Sequence, residues 1–191
     1  MISLHLNTDL SIAEERSGTN GGTVHKRFFP QGVEILTGSE SGTYTYRTDH
    51  LGSIREVVDS SGDLTARFDY SPWGEIDTTS GSFDLDFGFT GHFIHQPTGL
   101  HLAPFRAYDA GLGRWLSRDP LSWAEFLPEG PNLYGYAANS PVVFFDPTGH
   151  SIISGRTRGQ YEIKTEGGRR YRNSSDCRQL NRDLNEIQDA G

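Results

Sequence analysis

Leu64-Thr65-Ala66-Arg67-Phe68-Asp69-Tyr70 decides the fold class. Its apolar residues recur at every second position and its polar residues fill the gaps, which is the period of a β-strand with one buried and one wet face. The same reading extends outward in both directions. Thr43-Tyr44-Thr45-Tyr46-Arg47 alternates with aromatics, and Phe83, Leu85, Phe87 and Phe89 alternate with Asp84, Asp86 and Gly88. Leu51-Gly52-Ser53, Ser60-Ser61-Gly62-Asp63, Ser80-Gly81-Ser82 and Gln96-Pro97-Thr98-Gly99 separate the runs as turns. A series of antiparallel hairpins from about residue 33 to 108 is therefore predicted, in a mainly β protein. Met1 to Leu6 also alternates and predicts a strand.

Composition agrees. The 191 residues include 23 Gly and 9 Pro, a share of turn formers above the usual one. Hydrophobic residues make up 34% and aromatics 12%, too rich in aromatics for a disordered chain. No apolar run approaches the roughly 18 residues of a membrane span. The start lacks the basic and continuous apolar regions of an export signal. One cysteine, Cys177, permits no internal disulfide.

Charge divides the chain. The net charge is −8, but residues 1–150 hold 9 basic and 19 acidic side chains, whereas residues 151–191 hold 8 and 6. Acidity argues against nucleic acid as a partner for the chain as a whole. Between about 109 and 149 alternation fails and Pro120, Pro128, Pro131, Pro141 and Pro147 interrupt any long element. Trp115, Trp123, Phe126, Tyr134, Tyr136, Phe144 and Phe145 in that stretch need cover, which predicts an irregular plug seated on the preceding sheet. The tail reads as ββα. Strands 160–164 and 169–172 flank Glu166-Gly167-Gly168, and a short helix capped by Ser174 or Ser175 carries Cys177, Leu180, Leu184 and Ile187 on one stripe. Three units follow: an N-terminal segment 1–32, a core 33–149 and a tail 150–191.

Three stretches, taken together, carry a family resemblance. Asp49-His50-Leu51-Gly52-Ser53 through Tyr70-Ser71-Pro72-Trp73-Gly74-Glu75 resembles the YD-repeat pattern. Ala107-Tyr108-Asp109-Ala110-Gly111-Leu112-Gly113-Arg114-Trp115, followed by Arg118-Asp119-Pro120, and Asn132-Leu133-Tyr134-Gly135-Tyr136 through Asp146-Pro147-Thr148-Gly149 are similar to the elements of the RHS repeat-associated core domain. The resemblance covers roughly 43–150. It implies a β-hairpin shell around a C-terminal effector or toxin segment, as in polymorphic bacterial toxins, in C subunits of insecticidal toxin complexes and in the teneurins. It also implies a secreted or cell-surface setting, with an upstream YD-repeat shell chain or the protein's own C-terminal segment as partner. A closed shell needs more hairpins than the four or five counted here, so the chain is expected to be a C-terminal fragment of one.

Many members of the family cut their own chain after this core. An acid protease pairs two carboxylates, one ionised to activate water and one protonated to polarise the carbonyl. The resemblance places these on Asp119 and Asp146, assigns an assisting role to Arg118, and puts the cut between His150 and Ser151. This chain has His150 where the family usually has Leu, and an imidazole, partly charged near neutrality, suits an apolar seat less well. The residues alone also admit a plainer reading, because Asp-Pro pairs commonly open turns through Asx hydrogen bonds.

Other constellations are weaker. His92, His95 and His101 lack the accompanying cysteines or carboxylates of a metal site, and no cofactor is expected. Cys177 reads as a packed residue. Arg156, Arg158, Arg169, Arg170 and Arg172, with Tyr161 and Tyr171, fit a solvated hairpin face as well as a nucleic-acid contact. The leading expectation is a structural shell segment that plugs part of a shell and is linked to an effector-like tail. An aspartyl self-cleaving activity and a cell-surface adhesion module are the alternatives.

Overall fold

The computed structural model describes residues 2–7, 11–18, 22–119, 132–150, 152–154, 163–164 and 170–171. Eight strands form one antiparallel sheet in chain order: β1 (Ile2–Leu6), β2 (Ile12–Ser17), β3 (Val24–Phe29), β4 (Gly32–Ile35), β5 (Gly42–Thr48), β6 (Ile54–Val58), β7 (Leu64–Tyr70) and β8 (Ile76–Gly81). A second meander follows: β9 (Phe93–His95), β10 (Leu100–Leu102), β11 (Ala107–Asp109) and β12 (Arg114–Trp115). Two short pairs complete it, β13 (Phe144–Phe145) with β14 (Ile153–Ser154) and β15 (Ile163–Lys164) with β16 (Arg170–Tyr171). The last pair lies within the hairpin expected of the tail. The expected tail helix, with Cys177, falls outside the described residues, as do Trp123 and Phe126.

The hairpins begin well before residue 33. β2 (IAEERS) and β3 (VHKRFF) carry charges on both sides of the alternation, so they show no apolar period. Their charges pair instead: Arg27 lies 3.5 Å from Glu14 on the neighbouring strand. Lys26 reaches across to Asp86, 2.7 Å away and almost fully buried.

A repeated device makes the turns. Asp49 Oδ1 accepts the amides of Leu51 and Ser53 at 2.9 and 3.0 Å, with Gly52 at φ +91°. Asp59 does the same for Ser61 and Asp63, with Gly62 at φ +88°. An Asp three residues before a left-handed glycine thus closes both hairpins on either side of β6.

Phe83 to Phe89 departs from expectation. It is an extended crossing segment, not a strand, and ends in a 3-10 turn at Phe89–Gly91. Its alternation is real in its effect, since Phe83 and Leu85 are buried against Val33, Val57, Ala66 and Phe68 in the main core. Alternation reports which way side chains face, and burial by packing produces it here although the backbone pairs just locally, at the Phe87–Phe93 bridge. A second core gathers Phe89, Tyr108, Ala110, Trp115, Tyr136 and Ala137, with Tyr70 and Trp73 packed on it. The irregular stretch 132–150 therefore covers the small sheet, and it also meets the large one, where His50 Nε2 lies 3.1 Å from Val142 O beside the β5–β6 turn.

Candidate functional site

The site forms where 132–150 docks on the β9–β12 meander. Trp115 N–H donates to Tyr134 O at 3.0 Å and Asp119 N–H to Leu133 O at 2.9 Å, so β12 and its continuation are laced to this segment. That lacing brings Asp119 and Asp146 together, 27 residues apart in sequence. Both reach the same guanidinium nitrogen, Arg106 Nη2, with Asp119 Oδ2 at 3.1 Å and Asp146 Oδ2 at 3.2 Å. Arg106 and Asp146 are buried, and Asp119 is 14% exposed. The guanidinium also lies 4.5 Å from the Trp115 ring centre, a cation–π contact that fixes its plane.

Arg118, expected to assist, is exposed; the group lying between the carboxylates is Arg106. A signal for it existed. Tyr108 is fully buried, and in an extended chain residue 106 faces the same way, so a charge stood at an inward position. A buried cation needs anionic partners, which would have named the two aspartates. Burial pulls the Arg106 pKa down while Asp119 and Asp146 push it back up.

Asp146 serves two purposes with its two oxygens. Oδ1 accepts the amides of Gly149 and His150 at 2.8 and 3.1 Å, with Gly149 at φ +83°, which repeats the turn device of Asp49 and Asp59. Oδ2 faces Arg106. One oxygen of a single side chain thus closes a turn while the other faces a buried cation. The chain just before the expected cut is held from a second side, because Arg106 Nε donates to Gly149 O. The His150 ring stacks on Phe105, with centres 3.9 Å apart and planes 3° from parallel. Burial lowers the His150 pKa, with Asp119 opposing, which disfavours the charged imidazolium. Ser151 lies outside the described residues.

The three histidines do not converge. His92 and His101 are buried, and their pKa values are pulled down to about 4 by burial, whereas His95 is exposed at the β9–β10 turn. His92 Nε2 donates to Asp146 O at 2.8 Å, which commits that nitrogen to the backbone. Among the described residues, no group of three or more His, Cys, Asp or Glu side chains is placed to hold a metal. Among them, too, no helix is long and apolar enough to cross a membrane.

An antiparallel β meander, closed at one end by an irregular aromatic segment around a buried ionic cluster, is the architecture of a shell segment. Residues 35–142 match the teneurin YD-shell family, and the chain belongs to that family of RHS/YD-repeat proteins. Double-stranded DNA deaminase toxin A of Burkholderia cenocepacia is 33% identical over 125 residues, 63% of this chain and 8% of that protein. Toxin protein Tse5 of Pseudomonas aeruginosa is 33% identical over 104 residues, 54% of this chain and again 8% of the relative. Among solved structures, TcdB2-TccC3 without its hypervariable C-terminal region superposes on 78% of this chain and 8% of its own, with a TM-score of 0.55 and 18% identity. The chain thus spans under a tenth of the length of these proteins and forms a structural part of a β shell.

Proposed function

We propose that the core, residues 33–149, plugs one end of a YD-type shell and is linked through His150 to an effector-like tail. The observation that carries this is the docking of 132–150 onto the β9–β12 meander around Tyr136 and Trp115, both fully buried. Toxins among the relatives and the change of charge at residue 150 support the effector link. Expression of residues 150–191 alone in bacteria tests it. Growth arrest by the tail, absent with the whole chain, is expected; normal growth with both removes the effector link.

A second reading is favoured by the Arg106 bridge: the cluster cuts its own chain once, between His150 and Ser151. Two of the groups that hold the chain before that bond, Asp146 Oδ1 and Arg106 Nε, belong to the cluster, and Thr148 Oγ1 shares the His150 amide at 3.2 Å. The Arg106 guanidinium is a shared counter-charge to both carboxylates. In this reading Asp119, the more exposed carboxylate, takes a proton from water as the water oxygen bonds to the His150 carbonyl carbon. Arg106 stabilises the negative charge that forms on the carbonyl oxygen. When the C–N bond breaks, Asp119 returns the proton to the Ser151 nitrogen, leaving a carboxyl and an amine. Intact-mass measurement decides it: a break after His150 that disappears in Asp119→Asn supports the reading, and a single 21.2 kDa species under all conditions overturns it.

A further inference from the structure

Asp146 is held by more than its carboxylate. Burial pushes the pKa of the neighbouring Tyr136 up, so its hydroxyl keeps its proton and can donate. Tyr136 Oη lies 3.1 Å from Thr90 Oγ1, which lies 3.4 Å from His92 Nδ1. His92 Nε2 returns to Asp146 O at 2.8 Å. Chemistry fixes the direction throughout. A carbonyl only accepts, so Nε2 carries the ring proton, and in a neutral imidazole Nδ1 is then an acceptor. Thr90 must donate to it and accept from Tyr136. The relay thus ends on the backbone carbonyl of Asp146.

Two further features converge on it. Thr90 stands at φ +51° and Ala137, Ala138 and Asn139, directly after Tyr136, stand at +49°, +49° and +54°. Left-handed non-glycine residues are unfavourable, and a run of three is retained only where surrounding contacts over-determine it. Pro147 adds a constraint from the other side, since a residue before proline is confined to extended conformations. Ser53 Oγ, itself fully buried, accepts the Thr90 amide at 3.0 Å and anchors the turn.

We propose that Tyr136, Thr90 and His92 are positioning residues that together hold the Asp146 backbone at its C=O, and so aim the carboxylate at Arg106. The proposal rests on the reading of the cluster as a self-cleavage site. None of the three touches the bond to be cut. They fix the backbone from which Oδ1 and Oδ2 diverge, and a carboxylate that must serve a turn with one oxygen and a guanidinium with the other tolerates little rotation.

The test uses the whole chain and two readouts. Amide exchange by NMR at Gly149 and His150, whose N–H groups donate to Asp146 Oδ1, reports the placement of the carboxylate; it is measured in the Asp119→Asn chain. Self-cleavage is followed by intact mass with Asp119 present. His92→Phe keeps a ring and loses the donor; it is expected to speed both exchanges at least tenfold and slow the cut at least tenfold. His92→Gln restores a donor and is expected to recover most of both. Ser61 and Asp63, held by the same device at Asp59, serve as controls and are expected to be unchanged. The proposal is overturned if His92→Phe alters neither readout, or if His92→Gln behaves like His92→Phe, which would reduce the residue to packing. Should His92→Phe fail to fold, Tyr136→Phe, which removes one hydroxyl, is judged by the same two readouts. Faster exchange with no cut in any chain overturns the self-cleavage reading and leaves the grip on Asp146 standing.

Discussion

The His150 imidazole lies flat on the Phe105 ring, 3.9 Å between centres. A face of this kind accepts a planar side chain over its whole area, where an aliphatic one touches it only in part. Burial lowers the His150 pKa and so favours the uncharged ring, which lessens the mismatch that charge would create. Phe105→Ala is therefore expected to cut the yield of cleavage after His150 at least tenfold, with Phe105→Tyr close to the unaltered chain. Intact-mass spectra after a fixed incubation separate these. Equal yields from Phe105→Ala and the unaltered chain would remove the seat from the reading.

Arg106→Gln leaves two carboxylates facing each other with no cation between them. Loss of one partner from a buried ionic group costs about 3–5 kcal/mol, and Trp115 loses its cation as well. Thermal unfolding should shift down by about 6–20 °C for a chain of this size, whereas Arg118→Gln, at an exposed position, should shift it by less than about 2 °C, near the resolution of the method. A comparable loss from both variants would contradict the placement of Arg106.

Strand β7 was legible to the residue, because Leu64 to Tyr70 alternates with no break and Gly62 marks the turn before it. Asp119 and Asp146 were legible only through the order of three motifs; nothing in their spacing indicates that a docked segment would bring them together. β2 and β3 were illegible because their stability comes from paired charges and neighbouring strands, not from an apolar face. The segment 83–89 shows the converse error: a correct period assigned to the wrong kind of structure. Tyr136 stood out as an aromatic needing cover, but its hydroxyl's role depends on Thr90 and His92, 44 to 46 residues earlier, and such convergence has no local signature.

Acid should weaken the fold before it reaches ordinary carboxylate titration. The pKa values of His92 and His101 stand at about 4 in the folded chain, against about 6.5 for an exposed imidazole. The unfolded chain therefore binds more protons between these values, and stability falls as pH drops from about 6.5 toward 4. Each buried ring contributes roughly 3 kcal/mol of that loss. Asp86 acts in the opposite sense, since burial raises its carboxyl pKa and the folded chain protonates it more readily. Denaturant midpoints at pH 7.5 and pH 5 should show the decline, and His101→Gln should flatten part of it. A midpoint that rises on acidification would contradict the burial of these rings.

Gly74→Ala should be among the most damaging single-carbon additions. Gly74 stands at φ +94°, and a Cβ there would lie 2.5 Å from the Phe89 ring. Phe89 is buried in the second core beside Tyr108 and Tyr136, so the ring cannot swing aside. Strain and overpacking each cost about 1–3 kcal/mol. Gly99→Ala, also at positive φ but with open space around it, isolates the backbone part of that cost. Chemical denaturation of the two variants should differ by at least 1 kcal/mol.

Every strand of the large sheet pairs with its neighbour in sequence, and so does every strand of the small one. Such a topology keeps loop closures short and lets each strand find its partner as soon as it has been made. Order of synthesis can thus serve as order of assembly up to about residue 115. The ionic cluster obeys a different clock. It draws on residues 90, 92, 106, 119, 136 and 146, so no part of the chain made before residue 146 contains a complete set. The sheets can be finished while the cluster is still missing its last member. Any chemistry at that cluster is withheld until the scaffold that shelters it is in place.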